Sequence, residues 1–143
     1  LNGSGTARGR LLGGCIDVFM MAVGTSVWPA LDEWKDVILF FETSEEKPSP
    51  EYIVYMLRNL AAQGILNVIN GIIVGKPKDE AYYEEYKEAI LRVVLLEEHL
   101  DGLPVIYNVN IGHAKPIGIL PYGIETELDC DNKRIRFLES PTV

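Results

Sequence analysis

Basic side chains are scarce in this chain: 13 lysines and arginines stand against 21 aspartates and glutamates, a net charge of −8. Binding a polyphosphate backbone takes a concentrated basic footprint, so nucleic acid is excluded as a partner, and an anionic membrane surface with it. Cysteine is scarce too. Cys15 and Cys130 are the only two and lack C-x-x-C spacing, so neither a disulfide framework nor a zinc site is indicated. No metal and no cofactor is expected, and a reducing, cytoplasmic setting is. No apolar run approaches the about 18 residues of a transmembrane helix, and LNGSGTARGR at the start has no signal-peptide core. The common catalytic signatures are missing as well. His99 follows Glu97 and Glu98 without HExxH or HxxEH spacing, no GxSxG elbow occurs, and glycines 3, 5 and 9 miss the GxGxxG phosphate cradle.

What is present suffices for one domain, residues 1–143, able to bury roughly two thirds of its unfolded surface. The chain opens on Leu1 and a Gly/Ser-rich strip in place of a methionine, and reads as cut from something longer. Its centre is VILFFE, Val37 to Glu42. Five apolar residues running into an acid describe a strand buried on both faces of a parallel sheet, with the acid at the sheet's carboxyl edge, where α/β folds collect ligands and catalytic groups. LPVIYNVN, Leu103 to Asn110, repeats the pattern and leads into Ile111, Gly112 and His113. Were these two strands neighbours, Glu42 and His113 would meet.

Between them, Ser49-Pro50-Glu51 supplies an N-cap, a first-turn proline and a first-turn acid for a helix that Gly64 closes. Gly71 to Val74 is strand-like and stops at Gly75-Lys76-Pro77. Residues 79–100 read as one long amphipathic helix with Tyr82, Tyr86, Ile90, Val93 and Val94 inward. Upstream, residues 2–10 read as a turn, Cys15 to Val23 as a short buried helix, and residues 25–36 as a loop carrying Trp28, Pro29 and Trp34. Strand, helix, strand, helix, strand gives a three-stranded parallel sheet with two right-handed crossovers, whose ends carry Glu42, Lys76 and His113. From Ile119 onward apolar and polar residues alternate around a hairpin turn at Asp131-Asn132, implying a second, small antiparallel sheet.

Gly112 before it and Pro116 and Pro121 after it restrain His113 at the sheet edge. A general base needs a fixed aim, and a carboxylate on one ring nitrogen sets both tautomer and orientation. Glu42 fits that role, with the other ring nitrogen facing open solvent. The plainer reading makes Glu42 a cap for a loop backbone and His113 an exposed histidine. Missing is a nucleophile: Ser4, Ser26, Ser44, Ser49 and Ser140 all fall in turns or tails. The residues amount to two thirds of a hydrolase triad.

The series GRLLGGCIDV, AVGT, DVILFFETSEE, NVINGIIVGK, PVIYNVNIGHAKP and ILPYG, in that order from residue 9 to residue 123, resembles the C-terminal domain of the LD-carboxypeptidase family, which includes the microcin C self-immunity peptidases. The resemblance implies a swivelling β/β/α domain and a serine carboxypeptidase with a Ser-Glu-His triad. Glu42 and His113 match the family's glutamate and histidine. The serine and its oxyanion hole would lie in an N-terminal domain outside this chain, the partner this domain needs. It also implies a homodimer of the full-length protein and a substrate that is a peptidyl or aminoacyl adenylate or a cell-wall-derived peptide. Trp28, Gly112 and Lys115 are the expected substrate-side contacts. Cys15 stands where family members often carry asparagine, and Ala114-Lys115 where an acid is common. The rival reading is a non-catalytic ligand-binding or interaction domain of the same fold.

Overall fold

The computed structural model describes residues 1–140. Its chain order is β1 (Thr6–Cys15), α1 (Ile16–Phe19), β2 (Ile38–Glu42), α2 (Pro50–Ala62), β3 (Gly71–Gly75), α3 (Tyr83–Leu91), β4 (Val105–Val109), β5 (Glu125–Asp129) and β6 (Arg134–Phe137). The strands form one six-stranded sheet in the order β4-β3-β2-β1-β5-β6. The α/β class expected from the sequence holds, with two corrections to the sheet. Four strands are parallel, because β1 pairs with β2 along Leu11 to Cys15. And the antiparallel strands make no separate sheet: the first half of β1, Thr6 to Arg10, pairs antiparallel with β5. One long strand serves both parts. Residues 2–10 read as a turn, but Thr6 onward is strand, and Gly9 is needed there: a Cβ would lie 1.8 Å from the Asp36 carbonyl oxygen, as one at Gly13 would lie 1.7 Å from that of Phe40.

Successive parallel strands lie side by side, and same-handed crossovers put their helices on one face. On that face Leu39 and Phe41 of β2 and Ile72 and Val74 of β3 pack against Ile53, Leu57 and Leu60 of α2 and Ile90 of α3. On the other, Ile38, Phe40 and Ile73 meet Ile111 and Leu120 of the long loop after β4, with Leu128 of β5. This is why β2 reads as unbroken apolar sequence: alternate residues face two different cores. Helix α2 starts as expected, with Ser49 Oγ accepting from the Tyr52 N–H and left-handed Gly64 just beyond its end.

The other helices differ from expectation. Cys15 to Val23 is a single α-turn followed by a 3-10 turn, with Ile16 its buried residue. The long helix begins late, because Asp79, Glu80 and Tyr82 take left-handed backbone angles, and α3 widens after Leu91 into π-type turns over Arg92–Glu97. There Glu97 accepts two hydrogen bonds from Arg58 of α2, each at 2.7 Å. That contact joins residues far apart in sequence, which a helical periodicity cannot reveal. Among the described residues no helix is long and apolar enough to cross a membrane.

Candidate active site

Four strand ends line up at the carboxyl edge of the sheet. Cys15 pairs with Glu42 across β1 and β2, Phe41 with Val74 across β2 and β3, and Gly75 with Val109 across β3 and β4. β2 and β4 are therefore not neighbours; β3 separates them. Glu42 and His113 meet because the loop after β4 crosses the end of β3. The crossing needs Gly75: a Cβ there would lie 2.4 Å from Glu42 Cβ and 3.1 Å from the Ile111 carbonyl. It also needs Gly112, with φ +85° and its missing Cβ position 2.2 Å from Glu42 Oε2. Two absent side chains make room for one carboxylate.

By the alternation along β2, Glu42 points to the same face as Phe40, the face covered by the loop, and it is buried at 6% exposure. A buried carboxylate needs partners. Its Oε2 accepts from the His113 backbone N–H at 3.2 Å and lies 2.8 Å from His113 Nδ1. Glu42 therefore touches both the loop backbone and the imidazole of His113. The other ring nitrogen departs from expectation. Nε2 lies 3.0 Å from Glu45 Oε2, on a side chain that is 61% exposed. The hydrogen bond to Glu42 raises the His113 pKa above its ordinary value against the opposing effect of burial, and the charges of Glu42, Glu45 and Asp17 add to the rise.

Asp17 and Ser44 complete the floor. Ser44 Oγ donates a short hydrogen bond to Asp17 Oδ2, its N–H donates to Oδ1 at 3.3 Å, and Cys15 Sγ donates to Oδ1 at 3.0 Å. Burial alone would push the Asp17 carboxyl up, but these donors outweigh it and hold it below the usual carboxylate range. The Ser44 hydroxyl is thereby committed to Asp17, so its proton is not directed at His113. Burial, then the bond to Asp17, keeps the Cys15 thiol protonated well above its ordinary range. Cys15, Glu42 and His113 offer donor atoms all within 4.8 Å of one another.

Of the other expected site residues, Gly112 is in the site as a conformational requirement. Lys115 lines a neighbouring cavity of about 370 Å³ with Lys76, Lys78, Asp79, Glu80 and Ala114, and Lys76 pairs with Glu80 at 3.0 Å. Trp28 is placed elsewhere, in an aromatic cluster with Phe19 at 4.9 Å and Trp34 at 5.4 Å between ring centroids. Its indole N–H donates to Gln63 Oε1 at 2.7 Å. Sequence reasoning missed Asp17, Glu45 and Gly75. Gly75 carried a readable signal, a glycine ending an apolar strand beside Lys76 and Pro77; Asp17 and Glu45 look like ordinary polar residues.

The model of the LD-carboxypeptidase C-terminal domain matches residues 8–128. A provisionally named carboxypeptidase of Synechocystis sp. is 33% identical over 135 residues, 94% of this chain and 43% of its own length. The microcin C7 self-immunity protein MccF of Escherichia coli is 28% identical, over 96% of this chain and 38% of its own; a structure of MccF in complex with aspartyl sulfamoyl adenosine superposes with a TM-score of 0.78 at 25% identity, covering 99% of this chain and 41% of that one. The crystal structure of an MccF-like protein from Streptococcus pneumoniae in complex with AMP superposes with a TM-score of 0.82 at 38% identity, over 95% of this chain and 42% of that one. The chain spans about two fifths of the length of these relatives. With the family's model matched over most of its length and its fold shared throughout, this chain belongs to the LD-carboxypeptidase C-terminal domain family.

Proposed function

We propose that this chain, residues 1–143, is the C-terminal domain of a serine carboxypeptidase and supplies two members of a Ser-Glu-His triad. His113 is the general base and Glu42 its orienting carboxylate; the serine and the oxyanion hole belong to a further domain. The observation that carries this reading is the 2.8 Å contact between buried Glu42 and His113 Nδ1. In this role Glu42 accepts from Nδ1–H, which leaves Nε2 to take the proton of the serine hydroxyl and return it to the leaving group. Nε2 must first part from Glu45, an exposed carboxylate that incoming substrate or the serine domain displaces. The substrate is an aminoacyl or peptidyl nucleotide or a cell-wall-derived peptide. The nucleotide is favoured by the ligands of the related structures, AMP and aspartyl sulfamoyl adenosine. Trp28 keeps only an indirect part in this proposal, through packing; Gly112 shapes the pair, and Lys115 with Lys76 faces an anionic group of the substrate.

The test uses a longer chain carrying this domain. His113→Ala and Glu42→Gln are each expected to lower kcat by about 10⁴-fold. The 143-residue chain alone should turn over nothing, since a base without its nucleophile has nothing to activate. Turnover retained within about tenfold in His113→Ala would sink the catalytic reading and leave the ligand-binding one.

A further inference from the structure

The edge of the sheet gathers one thiol, one imidazole and one carboxylate, and no role in the proposed hydrolysis uses the thiol. Cys15 and Glu42 are register partners on adjacent parallel strands, so their side chains leave the sheet on the same face, from two rigid origins. His113 is brought over them by the Gly112 turn and held through Nδ1. The donor atoms of the three lie within 4.8 Å of one another.

We propose that Cys15, Glu42 and His113 form a binding site for a thiophilic divalent cation, for which zinc is the fitting ion, and that its occupancy takes His113 out of hydrolysis. The second half rests on the reading of His113 as the base; the first stands on geometry alone.

The donor set decides the metal. Sulfur with imidazole and one carboxylate suits zinc and its neighbours, whereas magnesium and calcium take oxygen-rich cages. Zinc holds sulfur at about 2.3 Å and nitrogen or oxygen at about 2.0–2.2 Å, so the donors of a tetrahedral site stand roughly 3.3–3.8 Å apart. The cluster needs movements of about an ångström to reach this, and the His113–Glu42 contact has to open slightly. Outer support is already in position. Glu45 on Nε2 at 3.0 Å makes the carboxylate–histidine–metal pattern that turns Nδ1 toward the ion. Asp17, 3.0 Å from Cys15 Sγ, stands ready as a fourth ligand or as partner of a bound water. Three carboxylates, Asp17, Glu42 and Glu45, supply attraction for a dication. On binding, a sulfur–zinc bond forms as the sulfur–hydrogen bond breaks and that proton leaves to solvent; the imidazole keeps one proton on Nε2, against Glu45, so the proton shared between Nδ1 and Glu42 is given up and the freed Nδ1 lone pair goes to zinc. With Nδ1 ligated to zinc, the Glu42 relay is broken.

Cobalt(II) reports such a site by colour. Titrated into the 143-residue chain, it should give a near-ultraviolet sulfur-to-cobalt charge-transfer band with the visible bands of tetrahedral cobalt, and zinc should bleach both. Cys15→Ser should lose the charge-transfer band, Cys130→Ser should keep it, and Glu45→Gln should weaken zinc binding by about 10–100-fold. Absence of the band in the wild-type chain, its survival in Cys15→Ser, or its loss in Cys130→Ser would overturn the site. In a longer, active chain, zinc should inhibit, and Cys15→Ser should require at least about tenfold more zinc for equal inhibition. If the cobalt band forms but zinc leaves turnover untouched, the blocking role is wrong; His113→Ala judges the base separately, and the cobalt spectrum reads the site whether or not that reading survives.

Discussion

Replacing Gly112 by alanine puts the whole site geometry at risk through one methyl group. At φ +85° the new Cβ sits in the left-handed region, which costs about 1–2 kcal/mol. That Cβ would also lie 2.2 Å from Glu42 Oε2 and 2.4 Å from Glu42 Cδ, so the carboxylate must move by more than an ångström. It has little room to do so cheaply. Overpacking adds about 1–3 kcal/mol, and loss of the two bonds from His113 to an ionised acceptor adds about 1.5–3 kcal/mol, in part the same energy counted twice. A total of about 3–5 kcal/mol follows. Gly5→Ala is the matched control: φ is +74° with nothing within 4 Å of its Cβ position, so only the backbone strain of about 1–2 kcal/mol remains. Urea denaturation midpoints at unchanged m-value measure both losses. NMR titration of His113 adds the local readout, with the pKa expected to fall in Gly112→Ala and to stay in place in Gly5→Ala. Equal destabilisation of the two variants, or a His113 titration indifferent to Gly112→Ala, would refute the claim that this glycine exists to admit the Glu42 carboxylate.

Glu42→Gln removes the charge that favours imidazolium, so His113 should titrate at lower pH; the two histidines give separate ring signals, and an unmoved His113 would end the relay idea. Glu45→Gln should lower the same pKa by less, because its carboxylate is exposed, and added salt should shrink the difference; a larger effect than that of Glu42→Gln would reverse their assigned roles. Glu127, buried between Arg8 at 2.7 Å and Arg136 at 2.9 Å, is held below its ordinary pKa by their hydrogen bonds. A depressed carboxylate stabilises the fold above its unfolded pKa, and that contribution disappears as pH falls through the folded value. The stability deficit of Glu127→Gln should therefore be largest near neutral pH and shrink on acidification, as followed by urea midpoints; a deficit constant with pH would mean the ion pairs carry no weight.

The strand at Val37 to Glu42 and the helix from Pro50 to Gly64 were legible because burial and capping are written in adjacent residues: an apolar run, a serine before a proline, a glycine after the last turn. The hairpin at Asp131-Asn132 was legible for the same reason. The pairing of Glu42 with His113 could be expected from topology, since consecutive crossovers carry all parallel strand ends to one edge. What local pattern could not supply was distance. β1 looked like a glycine-rich turn because its glycines answer to carbonyls on β2, far along the chain, and the left-handed residues before Tyr83 and the π turns after Leu91 likewise carry no periodic signal. Nor could local pattern supply the route of contact between Glu42 and His113: β3 lies between their strands, and the contact exists only because Gly75 and Gly112 leave out the side chains that would block it. The approach of Cys15 to Glu42 is a property of sheet register, whereas Glu45 on Nε2 and Asp17 against Cys15 are set by the turns that follow the strand ends. The amino-acid sequence determined which segments are buried and which chemical groups stand at their ends. Tertiary structure alone decided which of those groups touch, because contact across strands depends on register and on space left empty, and neither is encoded in neighbouring residues.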